Sequence, residues 1–173
     1  MAISTQISME EYLHTSYRPD REYLDGEVRE RNMGKGEHAE VQLMLGAWFA
    51  AHRRAWGIRA GSDFRTQVAS TRVRVPDIVI VRDNGPLTGV QVEPPLLIVE
   101  ILSPDDTYSD LKQRSEDYQR MGVETVWIID PEARTAQVYT GQVWTAATRL
   151  TVEGSPIFLE LAGLFADIDH PIS

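Results

Sequence analysis

A carboxylate stands inside an otherwise continuous apolar run, Leu96-Leu97-Ile98-Val99-Glu100-Ile101-Leu102. A run of that length and composition reads as a central strand covered on both faces. Leaving Glu100 ionised there costs several kcal/mol unless it is paired, protonated or bound to a cation. A second run, Ile78-Val79-Ile80-Val81, has the same character and is preceded by Pro76-Asp77. If these strands are neighbours, each delivers one carboxylate to the same end of a sheet. That arrangement suits a hard divalent cation, which takes oxygen ligands and keeps several waters. The carbonyl of Ile101 is a candidate third protein oxygen, and a cation held there would polarise a phosphodiester and acidify a bound water.

The rest of the chain supports an α/β architecture. Ser8-Met9-Glu10-Glu11 forms a capping-box pattern opening a short helix over 9–15, with Ile7 and Tyr12 placed for a hydrophobic staple. Asp25-Gly26 between two short strand-like segments signals a tight hairpin. Val41, Met44, Leu45 and Trp48 recur at helical spacing, predicting a long helix over 37–55 that Gly57 ends. Strands are expected at 58–60, 64–68, 72–81 and 96–102, then a helix over 108–120 capped by Gly122, then strands at 126–129, 135–140 and 143–145. The apolar segment 157–161 is expected to cover an open sheet edge. The central order is α-β-β-β-α-β on a mixed sheet flanked by helices. One domain over 1–173 is expected, comprising an N-terminal helix and hairpin (8–32), a core (37–131) and C-terminal strands (135–161).

Composition narrows the function. The chain has no cysteine, which removes disulfides, cysteine-based zinc sites and thiol chemistry. The four histidines, His14, His38, His52 and His170, lack metal-ligand spacing. No phosphate-binding Gly-Lys-Ser/Thr loop, dinucleotide glycine fingerprint, Gly-x-Ser-x-Gly elbow or His-Glu-x-x-His is present. No apolar run approaches the ~18 residues of a membrane span, and the N-terminus lacks a signal-peptide pattern. The expectation is a cytoplasmic protein without membrane contact. The net charge of −9 argues against avid binding to bulk nucleic acid. Residues 28–82, however, carry ten bases against five acids and could form a basic face.

Each acid also has a structural reading. Asp77 can cap a turn, and Glu100 can be tied to Arg74 or Arg114. On the following helix, Asp110-Leu111-Lys112-Gln113-Arg114 offers a cation to stabilise charge on the reacting phosphate. Lys112 is favoured by chemistry and Arg114 by position. An exposed Asp110–Arg114 pair is the plain alternative, worth tenths of a kcal/mol.

The segments Val75-Pro76-Asp77-Ile78-Val79-Ile80-Val81 and Val99-Glu100-Ile101-Leu102-Ser103-Pro104, with Asp110-Leu111-Lys112-Gln113-Arg114 and Tyr118, resemble the Uma-two family of restriction endonucleases within the PD-(D/E)XK superfamily. Gly122-Val123-Glu124-Thr125-Val126-Trp127-Ile128-Ile129-Asp130-Pro131, the upstream run from Tyr17 to Glu27, and His38 fit the same pattern, so the resemblance covers nearly the whole chain. It implies a restriction-endonuclease-like core, Asp77 and Glu100 as metal ligands, and hydrolysis of DNA phosphodiesters with Mg²⁺ or Mn²⁺. Leu102 stands where the superfamily expects lysine. In this family the lysine sits on the following helix, where Arg114 aligns here and Lys112 lies two residues earlier. A further acid often comes from nearer the N-terminus, for which Glu22 and Glu40 are candidates, and His38 is a candidate for the mouth of the site. A homodimer would suit cleavage of both strands.

Two other readings stand beside the endonuclease. One is a catalytically weak or inactive nucleic-acid- or protein-binding module on the same fold. The other is metal-free hydrolysis by two carboxylates of different protonation.

Overall fold

Asp25 and Gly26 both take positive φ, 53° and 99°, the geometry of the tight hairpin turn that joins β1 (Glu22–Leu24) to β2 (Glu27–Arg29). This hairpin follows α1 (Met9–His14), whose N-cap Ser8 accepts a hydrogen bond from the Glu11 amide. In the computed structural model, residues 6–32 and 34–170 are described; both ends of the expected 1–173 domain lie outside them. The long helix α2 (Gly36–Trp56) stops at Gly57, whose φ of 63° ends it in the left-handed conformation. Then come β3 (Ile58–Ser62), β4 (Thr66–Ala69), β5 (Arg72–Arg74), β6 (Ile78–Arg82) and β7 (Leu97–Ile101). Beyond them lie α3 (Tyr108–Met121), β8 (Val126–Asp130), β9 (Thr135–Thr140), β10 (Val143–Ala146), β11 (Arg149–Thr151), β12 (Phe158–Glu160) and α4 (Leu161–Asp169).

The main sheet has six strands in the order β10-β9-β8-β7-β6-β3 and is mixed, with β7 and β8 parallel and the other pairs antiparallel. The chain passes from β7 through α3 to β8, the crossover that a parallel pair requires. Read within this sheet, the order is α2-β3-β6-β7-α3-β8, the mixed α/β core expected from periodicity. Alternation divides the sheet into two buried faces. Leu97, Val99 and Ile101 pack with Val41, Leu45 and Phe49 of α2, while Ile98, Val126 and Ile128 pack with Leu111 and Tyr118 of α3.

Two expectations need correction. The segment 72–81 is not one strand. Pro76 has no N–H to give a ladder, and the chain leaves a four-stranded sheet, β2-β1-β5-β4, after Arg74 and enters the main sheet at Ile78. The C-terminal apolar segment covers a face rather than an edge. Leu150, Val152, Ile157, Leu159, Leu161, Leu164 and Phe165 join the α2-side core, and 161–169 is a helix that packs against α2. Among the described residues, no helix is long and apolar enough to cross a membrane.

Candidate active site

The antiparallel register of β6 and β7 sets Ile78 against Val99 and Ile80 against Leu97. One step further along the same register, Asp77 stands opposite Glu100. Both are buried, at 3% and 1% exposure. Asp77 is held from several directions. The Ile101 amide donates to its Oδ2 at 2.7 Å, Arg31 Nη2 donates to Oδ1 at 2.9 Å, and His38 Nε2 lies 3.3 Å from the same oxygen. Its carbonyl accepts from the Gln42 amide side chain at 3.0 Å.

Glu100 shares its face of β7 with Ile98 and so looks toward α3. Tyr118 donates its hydroxyl to Oε1 in a short hydrogen bond, and Arg114 Nη1 donates to Oε2 at 3.0 Å. Arg114 is tied at its other end to Asp106 at 2.7 Å. Helix phase explains the choice of cation. Arg114 is three residues after Leu111 and four before Tyr118, both on the buried face, whereas Lys112 falls on the outer surface and pairs at 3.9 Å with Glu116. Lys112 therefore stands outside the site, and Arg114 is the cation that the fold brings in. Asp110 does not form the alternative pair with Arg114; it joins the N-cap Thr107 in capping α3 instead.

Of the additional candidates, Glu22 and His38 line the same cleft, and Glu40 is exposed outside it. Glu22 accepts from Arg74 at 2.7 Å and from the Val75 amide at 3.3 Å. Arg74 pairs with Glu22 and Asp117, not with Glu100. The cleft encloses about 150 Å³, room for several waters, between the ends of β6 and β7, the start of α3 and the segment after β2. Arg31 and Asp106, which also line it, carry no local sequence signal. Arg31 meets Asp77 across 46 positions of chain.

Burial raises the Glu100 carboxyl from the usual 4.5 to about 7, with the Asp77 charge acting the same way and Arg114 and Tyr118 opposing. For His38 burial acts downward, but the hydrogen bond and charge of Asp77 prevail and its pKa is raised. The Glu100 shift has a measurable consequence in chelator. Between pH 4.5 and 7 the folded protein keeps a proton on Glu100 that the unfolded chain has released, so the contribution of Glu100 to stability falls as pH rises through that window and levels off above it. The loss is on the order of 3 kcal/mol. Urea unfolding at stepped pH reads this slope, and Glu100→Gln should flatten it.

The donor set is compatible with a hard cation. Two carboxylates stand at one sheet end; Asp77 Oδ2 and both Glu100 oxygens each accept one hydrogen bond and keep a second lone pair, while Asp77 Oδ1 faces both Arg31 and His38. Among the described residues no three histidine, aspartate or glutamate side chains form a ready-made metal cage. Asp77 and Glu100 would therefore hold the ion together with backbone oxygen and water, as Mg²⁺ prefers. Arg31 and Arg114 must yield some of their present contacts to admit it.

Much of the positive charge of the basic stretch is neutralised within the fold. Arg31, Arg53, Arg59, Arg65, Arg72 and Arg74 are each paired with a carboxylate.

A sequence model of the Uma2 family, described as "Putative restriction endonuclease", matches residues 9–165. Among solved structures, the chain is similar to a crystal structure of "a putative nuclease belonging to DUF820" from Anabaena variabilis. The two share 23% identity and a TM-score of 0.77 over 92% of this chain and 98% of that one, which shows a common fold. A cryo-EM structure of a DrdV–DNA complex aligns with 73% of this chain and 10% of its own, at 15% identity and a TM-score of 0.40. No curated protein matches the chain.

Proposed function

The chain belongs to the Uma2 family, and from that premise we propose that it is a metal-dependent endonuclease hydrolysing DNA phosphodiester bonds. The observation that carries the reading is the register that sets Asp77, in a cleft also lined by Arg31 and Arg114, opposite Glu100, which is buried behind Arg114. A bound Mg²⁺ or Mn²⁺ supplies Lewis-acid polarisation of the phosphoryl oxygen and an acidified water. The protein's own groups do the rest. Asp77 and Glu100 hold the ion, with the Ile101 carbonyl beside them. Tyr118 fixes the Glu100 carboxylate in one orientation through its hydroxyl. Arg114, anchored on Asp106, places positive charge where negative charge builds on the phosphate, and it remains protonated throughout, so it is no general base. His38, beside Asp77, can carry a proton at Nε2.

The test is nicking of supercoiled plasmid by purified protein. Conversion to open circles in Mg²⁺ or Mn²⁺, abolished by EDTA, is the expected result. A second reading, a nucleic-acid-binding module without catalysis, draws support from the fact that all four oxygens of the two carboxylates already accept from protein donors. DNA binding indifferent to EDTA, with no cleavage in either metal, would establish that reading in place of the first.

A further inference from the structure

Arg31 and Arg114 are built alike. Each guanidinium spans one inner carboxylate of the site and one outer carboxylate. Arg31 bridges Asp77 at 2.9 Å and Asp63 at 2.8 Å, and Arg114 bridges Glu100 at 3.0 Å and Asp106 at 2.7 Å. Both line the cleft and both side chains are largely buried, 14% and 17% exposed. A guanidinium offers five donors in a planar fork, and the fork that matches carboxylate also matches phosphate. The inner contact of each arginine is thus the one that a cation would compete away, while the outer carboxylate, Asp106 in the cleft lining or Asp63 outside it, remains as a tether.

We propose that Arg31 is a phosphodiester-binding residue whose Nη2 arm is occupied by Asp77 until a divalent cation takes over the charge of that carboxylate. Arg114 stands to Glu100 in the same relation. Cation and nucleic acid then bind with positive coupling: the cation turns two carboxylate-paired arginines into donors facing the backbone of the substrate, and the bound phosphate in turn holds them away from the cation's ligands. This rests on the reading that the cleft takes a metal and a phosphodiester, and it goes beyond that reading by assigning the resting role and the working role of Arg31.

The experiment measures binding rather than cleavage, by fluorescence anisotropy of a labelled 20-base-pair DNA duplex in EDTA and in Ca²⁺. Asp77→Asn removes the charge that holds Arg31 and should tighten metal-free binding about tenfold over the unmodified protein. Glu30→Gln removes one charge from the same cleft without touching Arg31, since Glu30 pairs with Arg21, and should change affinity much less. Asp77→Asn combined with Arg31→Gln should lose the gain. In the unmodified protein Ca²⁺ should tighten binding, and Arg31→Gln should reduce that gain severalfold, which gives a reading independent of whether Asp77→Asn folds. Equal effects of Asp77→Asn and Glu30→Gln, or a gain that survives Arg31→Gln, overturn the assignment of Arg31 even if the protein nicks DNA. Absence of both nicking and DNA binding under all conditions overturns the nuclease reading and this inference with it.

Discussion

Glu100→Gln and Asp77→Ala should each lower metal-dependent nicking at least about 1,000-fold, roughly 4 kcal/mol of transition-state stabilisation. Glutamine keeps the size of Glu100 and can still meet the Tyr118 hydroxyl, so the loss reports the missing charge rather than a collapsed core. Asp77→Ala removes one of the two carboxylates and also frees the Ile101 amide from its partner. Lys112→Ala is the contrasting variant. Its side chain is more than half exposed and, among the described residues, its ammonium pairs only with Glu116 within α3, so nicking should stay within about twofold. Activity surviving in the carboxylate variants, or vanishing with Lys112, would sink the assignment of the site. Plasmid nicking rates with circular dichroism on each variant decide the matter.

Arg74→Met should cost about 3 kcal/mol of stability. Arg74 is the hub of a buried network that joins the small sheet to α3. It donates to Glu22 at 2.7 Å and through Nε to Asp117 at 2.8 Å, with Nη2 in ion-pair contact with Asp117 at 2.7 Å, and the three side chains are 4%, 11% and 1% exposed. Removing one member of a buried ion pair typically costs about 3–5 kcal/mol because the survivor's charge is left uncompensated. The low end applies here, since Arg72 and Arg120 still reach Asp117 at 3.0 and 3.3 Å. Neutralising the acids as well, with Glu22→Gln and Asp117→Asn in the Arg74→Met background, should recover a good part of the loss. Urea midpoints for the single and triple variants measure both numbers. A single-variant change below about 1 kcal/mol would mean that water reaches this network and screens it.

The parts of this molecule that local chemistry governs could be read from the sequence. Asp25-Gly26 admits the left-handed conformations of a two-residue hairpin, Gly57 ends a helix whose apolar stripe precedes it, and an acid in an unbroken apolar run announces Glu100 as a buried carboxylate. What depends on distant partners was not legible. Arg31 looks like any surface arginine until the fold carries it to Asp77. Likewise, 157–161 reads as the cover of an open sheet edge, and the helix that follows β12, whose apolar face needs α2 to be recognised, goes unmarked. Lys112 and Arg114 could have been separated beforehand. Placing Leu111, Arg114 and Tyr118 on one helical row leaves Lys112 outside it.

The passage from Arg74 to Ile78 also limits how chains of this design can vary in length. Three residues, Val75, Pro76 and Asp77, carry the backbone from one sheet to the other while Arg74 stays anchored to Asp117 on one side and Ile78 to Val99 on the other. An inserted or deleted residue there must either pull Arg74 off Asp117 or slide β6 along β7, and a one-residue slide takes Asp77 out of step with Glu100. The connection between β6 and β7 spans residues 83–96 at the far end of the same strands, and much of it is exposed. Insertions and deletions are therefore expected to accumulate in that loop, while the three-residue seam keeps its length across lineages that retain the site.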